Sequence, residues 1–538
     1  MKIFYKVFFV CMLSAGISAE MSGQITSKLP RSIPELEGVS SAGIMDFLNA
    51  ADTSGLELHS FMFIRHGKVI AEGWWDPYGP DYKHLMFSAS KTFTATAVGF
   101  AVAENKLKVT DKVISFFPYS LPDTISDYIK DLTVQNLLTM SVGQDPEPSS
   151  WGMSGDWITG FLKTNPVHKP GTRFLYNNMA TFMLSAIVQQ ATGEKVFDYL
   201  MPRLFKPLGI RGIDWDQTPQ GITLGMIGLR LHTEDLAKMG LFLLQEGVWN
   251  NQQLLPKAWV KEATSFKIKN SDIEEDSIRI KDEWAQGYAY QMWLGRNNTV
   301  RVDGMGGQFS VLIPDKDALV VFTASVSNTQ KQLNLMHNYL IPSIKSDKAQ
   351  APDPAAYQEV QKKTEALSLA PGFSKISDSD FETSISGKEF VLGTNNYGIQ
   401  SVYFAFNDKE CTFALKRDNA IKSVKAGLES WKMNNTSSAS LLSPSTASRN
   451  SKSVDANYTI LQPVIKLAAR YSWTDQKTLE ITGRFVEESL NSETIVCKFS
   501  EQNGAVRVTI EPKAAGSQTR AGGMMQPVVL RGSLVKIQ

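Results

Sequence analysis

The sequence contains little cysteine, little histidine and no excess of charge. Only 3 of its 538 residues are cysteine and 6 are histidine, and 55 basic and 54 acidic residues leave a formal net charge of +1. It has no CxxC pair, cysteine–histidine cluster or HExxH sequence, so no zinc site is predicted and no cofactor is expected. The balanced charge and the lack of a basic stripe argue against nucleic-acid binding.

The sequence also lacks the run of about 18 apolar residues that a transmembrane helix needs. Its first nineteen residues instead resemble a secretory signal, in which two lysines precede an apolar run at 7–13 and small residues lie just before Glu20. We therefore expect residues 1–19 to be removed, leaving a secreted or periplasmic protein without a membrane span. The residues before Cys11 are not small, which argues against lipidation.

The chain is too long for one hydrophobic core, and its pattern divides into two parts. Residues 29–348 predict an α+β domain in which strands near both ends form an antiparallel sheet packed by a helical region. The predicted strands are 60–64, 69–75, 310–313 and 319–324. Residues 349–371 predict a linker, and 372–538 predict a small all-β barrel or sandwich to which the sequence assigns no role.

Helix signals and cysteine positions give more detailed predictions. The predicted helices are 91–103, 134–140 capped by Thr133, 178–192, and 234–244 capped by Thr233. Cys411 and Cys497 lie on the apolar phase of strand-like segments, so we expect both to be buried, with a disulfide between them left open. The Ser/Thr/Asn-rich residues 434–457 predict a solvated loop.

The first candidate for chemistry is segment 87–94, FSASKTFT, at the start of an apolar helix. A helical spacing of three places the Ser88 hydroxyl and the Lys91 amine on one face. The Ser88 amide N–H, at the helix N-terminus, is free to donate to an oxyanion. Desolvation lowers the pKa of a lysine, so Lys91 can accept a proton near neutral pH. A bare SxxK nevertheless arises about once or twice by chance in a chain of this size.

Two further segments carry compatible groups. Residues 170–178, PGTRFLYNN, place Tyr176 and Asn178 between a Pro-Gly turn and a helix. A nearby Lys91 cation favours the phenolate of Tyr176, which can act as general base and then general acid, while Asn178 can hold a substrate carbonyl. Residues 302–309, VDGMGGQF, offer the Met305 amide as a second oxyanion donor. Taken alone, these segments also fit a packed aromatic, a helix cap and a glycine-rich turn.

In this order, the three motifs resemble the serine β-lactamase-related superfamily, which contains class C β-lactamases, penicillin-binding carboxypeptidases, family VIII esterases and 6-aminohexanoate-dimer hydrolase-like enzymes. The resemblance covers about residues 33–344 and includes LTVQNLLTM at 132–140 and TEDLAK at 233–238. It implies a β-lactamase/transpeptidase-like fold and an acyl-enzyme on Ser88, with Lys91 and Tyr176 moving protons and the Ser88 and Met305 amides holding the oxyanion. Residues 372–538 carry no such resemblance.

One position departs from the family pattern. Where the family has Lys-Thr-Gly or His-x-Gly, this chain has Val-Asp-Gly at 302–304. In carboxylate-recognising members, a cation or hydroxyl at this place meets the substrate carboxylate, whereas Asp303 repels an anion if it faces the cleft. Arg301 is the nearest possible substitute. Because β-lactams and D-alanyl peptides carry that carboxylate, the departure favours an ester or a neutral amide that contacts Asp303 and Gly304.

The leading prediction is therefore a serine hydrolase acting on a small ester, amide or peptide-like substrate. The alternatives are a penicillin-recognising enzyme, either a class C-like β-lactamase or a D-alanyl carboxypeptidase, and a non-catalytic module that binds acyl compounds or a cell-wall ligand. A Ser-His-Asp triad is disfavoured because no Gly-x-Ser-x-Gly is present, although His66, His84, His168 and His232 are candidates and His84 is nearest to Ser88 in sequence. No oligomeric state follows from the sequence.

Overall fold

The computed structural model describes residues 28–148, 156–369 and 380–534, apart from 408, 419, 429, 438–439, 443–450, 454–463, 489, 491, 503 and 514–528. The predicted signal segment 1–19 and Cys11 lie outside the described residues, as do parts of the predicted linker and of the predicted loop 434–457. In the described part of the chain, no helix combines the length and the apolar character needed to cross a membrane.

The first domain is built on an antiparallel sheet that joins the two ends of its sequence. Strands Leu58–Arg65 and Ala318–Ala324 pair with each other at the centre, in the register Phe61–Phe322 and Phe63–Val320. The order across the sheet is Lys68–Trp74, Leu58–Arg65, Ala318–Ala324, Gln308–Ile313, Val300–Gly304 and Trp293–Leu294. This arrangement confirms the predicted antiparallel sheet, and the predicted strands are each extended or shifted by only a few residues.

Both faces of this sheet are covered. Met62 and Ile64 of the first strand pack into the helical region, whereas Phe61 and Phe63 pack into a second core on the opposite face. Every residue of that strand is therefore buried, which explains the uninterrupted apolar run 61–64 at its centre. The second core is closed by helices Ser41–Thr53, Thr329–Leu335 and Pro354–Glu365. The last helix occupies much of the predicted linker, so that segment is largely helical and packs on the first domain.

The helical region surrounds helix Ser90–Ala103, which is buried over most of its length, including its serine, lysine and threonine residues. Helices Val134–Leu138, Asn178–Thr192, Val196–Leu200 and Thr233–Leu244 contribute to the same core. Shorter α-helices are Asp127–Asp131, Trp157–Lys163, Lys257–Thr264, Asp276–Arg279 and Ile341–Ser343. One-turn 3₁₀ or π segments are Pro34–Glu37, Phe87–Ala89, Val113–Phe116, Met201–Phe205, Pro314–Lys316 and Met336–Leu340, and Val248–Trp249 forms a hairpin with Gln252–Gln253.

The helix predictions hold except at two ends. Thr133 caps helix Val134–Leu138 as predicted, but the helix ends before Met140, which has a left-handed φ of 54°. The prediction that Thr233 is an N-cap is wrong, because Thr233 is already the first helical residue. Its hydroxyl instead forms a hydrogen bond of 2.8 Å with the Ser60 hydroxyl of the central sheet, so a tertiary contact takes the place of a cap.

The second domain is a barrel of nine strands in the described part of the chain. Its order is Ala420–Gly427, Glu410–Arg417, Ile399–Asn407, Lys388–Leu392, Leu530–Leu534, Ala505–Pro512, Ser492–Gln502, Thr478–Phe485 and Ile465–Asp475. Pairing of Gly427 with Arg470 closes the ring. Strand Lys432–Thr436 pairs outside the ring with Ile465–Asp475, and helix Asp380–Ile385 contributes Ile385 to the barrel core. The predicted small all-β domain is confirmed.

In the barrel, the structure decides one question that the sequence left open and corrects one prediction. Cys411 and Cys497 both lie in the barrel core as free thiols, so no disulfide joins them. The region predicted as a solvated loop contains Leu441 and Leu442, which are buried in the same core, and strand Ser451–Ser453. Polar composition misled the prediction, because two adjacent leucines are enough to anchor this segment to the barrel.

The barrel is attached to the first domain beside the turn that carries Ser88. Strand Ser451–Ser453 extends a small sheet formed by Asp214–Asp216, Leu229–Leu231 and His84–Leu85. Two ion pairs flank this junction, one between Arg484 and Glu57 at 2.6 and 3.0 Å and one between Glu488 and the buried Arg230 at 2.8 and 2.9 Å. Each pair is bidentate, a geometry that fixes orientation as well as distance.

A buried histidine pair continues from Glu57 toward the Ser88 turn. His59 lies 3.0 Å from Glu57 through Nε2 and 2.8 Å from His84 Nε2 through Nδ1. Burial lowers the pKa of His59 to about 4, with the Glu57 carboxylate opposing the shift, and burial lowers the pKa of His84 to about 3. Both rings are therefore neutral at neutral pH.

These lowered pKa values predict that the protein loses stability as the pH falls from 6.5 to 5. Over that range the histidines become protonated in the unfolded chain but stay neutral in the folded protein. Each histidine should therefore lower the free energy of unfolding by about 2 kcal/mol. Urea unfolding followed by circular dichroism at pH 7 and pH 5 measures the difference. His59→Gln should reduce the pH dependence, whereas His168→Gln at a partly exposed site should not; equal slopes in all three proteins would contradict the prediction.

Candidate functional site

The turn that carries Ser88 is held from both sides. Strand His84–Leu85 leads into the 3₁₀ turn Phe87–Ala89, and helix Ser90–Ala103 follows directly. Phe87 has a φ of 47°, a left-handed conformation that costs a non-glycine residue free energy. The Ser90 hydroxyl stabilises this turn because it donates to the Phe87 carbonyl at 2.7 Å and accepts from the Leu229 N–H at 3.3 Å. Ser88 itself is half-buried.

Lys91 lies directly behind Ser88, as the spacing of three predicts. Its side chain is only 1% exposed, and its Nζ lies 3.0 Å from Ser88 Oγ, 2.8 Å from Asn178 Oδ1 and 2.9 Å from the Met226 carbonyl oxygen. The last two partners can only accept hydrogen bonds, whereas a hydroxyl can also donate. A neutral amine therefore uses its two N–H groups on Asn178 and Met226 and has its lone pair left for the Ser88 proton.

The surroundings of Lys91 favour this neutral amine near physiological pH. Burial lowers the pKa of Lys91 to about 7, and the carboxylates of Glu147 and Asp303 oppose the shift. Removing a charged ammonium from water is costly without a partner in direct contact, and the three groups in contact with Nζ are uncharged. The balance places the pKa where a general base is most useful.

Tyr176 lies on the other side of Ser88. Its ring stacks on Trp293 with centroids 6.0 Å apart, and Lys91 Nζ is 5.0 Å from the centre of the Tyr176 ring. Burial raises the pKa of Tyr176 well above its usual range, and interaction of its hydroxyl with Ser88 opposes the shift only in part. The direction is opposite to the one that a Lys91 cation predicts, so the phenol is protonated at neutral pH.

Asn178 is connected to Lys91 and to a carboxylate that the sequence did not predict. Its Oδ1 accepts from Lys91, and its Nδ2 donates to Glu147 Oε1 at 2.9 Å. The backbone N–H of Asn178 donates to the other Glu147 oxygen. Asn177, not Asn178, is the N-cap of the helix. The role predicted for Asn178, holding a substrate carbonyl, stays a prediction.

Gly304 and Met305 meet the Ser88 turn at the end of strand Val300–Gly304. A Cβ atom on Gly304 would lie 2.3 Å from the Met86 carbonyl oxygen and 3.2 Å from the Ala89 nitrogen, so only glycine permits this approach. Met305 follows with its side chain 60% exposed. Among the described residues, no acceptor takes the amide N–H of Ser88 or of Met305. Both amides therefore lack an acceptor among the described residues, and their role in binding an oxyanion stays a prediction.

Asp303 is tied to the arginine beside it. Its carboxylate accepts from Arg301 Nε at 2.7 Å, and burial raises its pKa while Arg301 opposes the shift. Asp303 is close enough to Lys91 and Tyr176 to affect the pKa of each. The suggestion that Arg301 replaces the cation of the family motif is wrong, because Arg301 is buried between Asp303 and Glu283. Val302 is buried in the core.

The histidines do not form a triad with Ser88. Both ring nitrogens of His84 are engaged, one with His59 and one with the Leu85 carbonyl. The other candidates pair with neighbours of their own: His66 with Glu37, His168 with Arg173, and His232 with Asp235. Within the described residues, no group of histidines, cysteines or carboxylates has an arrangement that could hold a metal ion.

Three residues of this site were not predicted from the sequence. Met226 contributes only its backbone carbonyl, which no side-chain pattern reports. Trp293 lies on a two-residue strand that is too short for a periodicity signal. Glu147 follows Pro146 in an irregular segment, and its contact with Asn178 spans 31 residues, so no spacing rule relates the two.

The chain is similar to several known proteins. The family model described as Beta-lactamase matches residues 52–341, more than half of the chain. The 6-aminohexanoate-dimer hydrolase of Paenarthrobacter ureafaciens is 25% identical over 287 residues, which cover 49% of this chain and 72% of that protein. A beta-lactamase of Pseudomonas fluorescens is 33% identical over 129 residues, covering 23% of this chain and 34% of the relative.

Solved structures also match the chain, at low sequence identity. The crystal structure of a family VIII carboxylesterase is 14% identical, covers 58% of this chain and 99% of its own, and superposes with a TM-score of 0.46. The match of the family model to most of the first domain, in the region that contains Ser88, Lys91, Tyr176 and Met305, establishes the family. The chain belongs to the beta-lactamase family and, with it, to the serine hydrolases.

Proposed function

We propose that the protein hydrolyses an ester or amide through an acyl-enzyme on Ser88. The observation that carries this proposal is the 3.0 Å contact between Lys91 Nζ and Ser88 Oγ, since the other two partners of Nζ are pure acceptors. As Ser88 Oγ bonds to the substrate carbonyl carbon, its proton passes to the Lys91 lone pair. The resulting ammonium retains acceptors at Asn178 and Met226.

Tyr176 acts in this proposal as the proton donor to the leaving group. Its raised pKa keeps the phenol protonated, and its hydroxyl interacts with Ser88, next to the bond that breaks. The proton that Lys91 acquired can return to Tyr176 once the leaving group departs, and water then releases the acyl group by the reverse sequence of proton transfers. The amides of Ser88 and Met305 stabilise the negative charge of each tetrahedral intermediate.

The substrate class follows from the charge at the cleft. Asp303 takes the place where carboxylate-recognising relatives carry a cation or hydroxyl, and Arg301 behind it is inaccessible. An anionic group on the substrate would face this carboxylate without a compensating cation, which disfavours it. We therefore propose a small ester or neutral amide. The P. ureafaciens relative is named as the hydrolase of a 6-aminohexanoate dimer, while the P. fluorescens relative is named a beta-lactamase, so penicillin recognition is the second candidate.

We also propose that the protein acts outside the cytoplasm. The two lysines, the apolar run 7–13 and the small residues before Glu20 support cleavage of a signal after Ala19. A secreted or periplasmic enzyme of this kind meets small extracellular esters and amides directly.

Labelling of Ser88 provides the main test of the proposed chemistry. A fluorophosphonate should label the wild-type protein covalently and Ser88→Ala not at all, because the probe needs an activated serine. A fluorescent penicillin should label poorly, since Asp303 disfavours its carboxylate. Ser115→Ala, at an exposed serine, is the matched control. Absence of fluorophosphonate labelling in the wild type would contradict the proposal, and strong labelling by both probes would support the penicillin-recognising candidate instead.

The pH dependence of ester hydrolysis should report the Lys91 amine. Because the base must be unprotonated and its pKa is about 7, kcat/KM should rise as the pH increases through about 7 and fall about tenfold per unit on the acid side. Tyr176→Phe should lower kcat by about 10²- to 10⁴-fold through loss of the acid, whereas Tyr119→Phe, at a fully exposed tyrosine, should have no effect. A pH-independent rate between 5 and 9 would exclude Lys91 as the base.

Export can be checked on the mature protein. If the signal is processed, mass spectrometry of the protein recovered from the periplasm or medium should give an N-terminus at Glu20. A protein that stays in the cytoplasm with Met1 retained would refute this part of the proposal.

A further inference from the structure

Glu147 is a carboxylate beside the site to which neither the sequence motifs nor the family resemblance assigns a role. It is half-buried in the segment between helices Val134–Leu138 and Trp157–Lys163. Both of its oxygens accept hydrogen bonds from Asn178, one from the side-chain Nδ2 at 2.9 Å and one from the backbone N–H. The contact is therefore a bidentate clasp on one residue.

The backbone part of this clasp has a clear physical reason. Asn178 is the first residue of helix Asn178–Thr192, so its N–H has no acceptor within the helix. A carboxylate satisfies this N–H and also interacts favourably with the positive end of the helix. Glu147 thereby fixes the position of Asn178 relative to the helix that carries it.

The side-chain part of the clasp fixes which end of the Asn178 amide faces Lys91. A primary amide has a donor end and an acceptor end, and a half-turn exchanges them. Because Glu147 can only accept, it holds Nδ2 and turns Oδ1 toward Lys91 Nζ, 2.8 Å away. The reversed amide would set its N–H groups against the N–H groups of Lys91. Glu147 thus determines, through Asn178, where the Lys91 lone pair is directed.

Glu147 affects Lys91 in two ways, indirectly through its hydrogen bonds to Asn178 and directly through its negative charge. Two carboxylates act on the amine, Glu147 from the side of Asn178 and Asp303 from strand Val300–Gly304, and Arg301 partly balances Asp303. The groups that touch Nζ, from Ser88, Asn178 and Met226, are neutral, as is the protonated phenol of Tyr176. Of the two carboxylates, Glu147 is the one without an arginine partner in the described part of the chain.

We propose that Glu147 is a positioning residue of the Ser88–Lys91 pair: through Asn178 it orients the Lys91 amine toward the Ser88 proton and stabilises the ammonium that forms. This inference rests on the proposed function, because it assigns Glu147 a role in the same proton transfer. The proton leaves Ser88 Oγ as the Oγ–carbon bond forms, and the lone pair of Lys91 Nζ receives it. Glu147 touches neither the substrate nor the transferred proton.

The test is the pH dependence of fluorophosphonate labelling at Ser88 in Glu147→Gln, which keeps the shape and removes the charge. The midpoint of the acid limb should move down by about half a unit to one unit, because a carboxylate that favours the ammonium is gone. The plateau rate should also fall about tenfold, because the glutamine amide no longer fixes the orientation of Asn178. Glu147→Asp should keep the wild-type midpoint, and Glu359→Gln, at an exposed glutamate of helix Pro354–Glu365, should match the wild type throughout.

The outcomes separate this inference from the proposed function. An unchanged midpoint in Glu147→Gln, with or without a slower plateau, overturns the positioning role and leaves Ser88 chemistry intact. If the fluorophosphonate does not label the wild-type protein, the proposed function is overturned, and this inference with it. If Glu147→Gln loses its native circular dichroism, Asn178→Ala takes over the test, since it breaks the link and leaves the carboxylate. A plateau equal to the wild type in that variant likewise overturns the proposal.

Discussion

The site depends on a lysine amine that is buried without a counter-ion in contact. An ammonium in that position would need an acidic partner within hydrogen-bonding distance, and the structure instead surrounds Lys91 Nζ with a hydroxyl, an amide oxygen and a peptide oxygen. The carboxylates of Glu147 and Asp303 act only from further away. This arrangement places the pKa of Lys91 at about 7, so both protonation states are accessible near neutral pH, and the proposed proton transfer from Ser88 uses that property.

The fold supplies these neighbours by bringing distant segments to one end of the central sheet. Ser88 comes from a turn that follows one short strand, and Lys91 comes from the helix after that turn. Asn178 comes from the start of a long helix, and the Met305 amide comes from the residue after a sheet strand. Gly304 makes the approach possible because its lack of a side chain lets the strand end touch the Ser88 turn. A change in the sheet register would therefore move Met305, one of the two proposed oxyanion donors, away from Ser88.

Patterns of side chains on single elements allowed most of the fold to be predicted from the sequence. Local signals predicted the strands that are buried on both faces, the helix at 178–192 and the proximity of Ser88 and Lys91. The structure contains all three features. Contacts between distant segments were not readable in the same way. Thr233 has the chemistry of a cap but bonds to Ser60, Arg301 has the charge of a ligand-binding residue but is buried, and Glu147 has no pattern at all. Each depends on where another segment lies, which a single sequence does not record.

The two ion pairs between the domains have opposite polarity. At one, the first domain contributes the acid, Glu57, and the barrel the base, Arg484; at the other, the first domain contributes the base, Arg230, and the barrel the acid, Glu488. A barrel rotated to exchange these contacts would set acid against acid and base against base. The order of the two charges therefore favours one orientation of the barrel on the first domain, and a barrel grafted from another protein would keep both ion pairs only if it carried the same two charges in the same order.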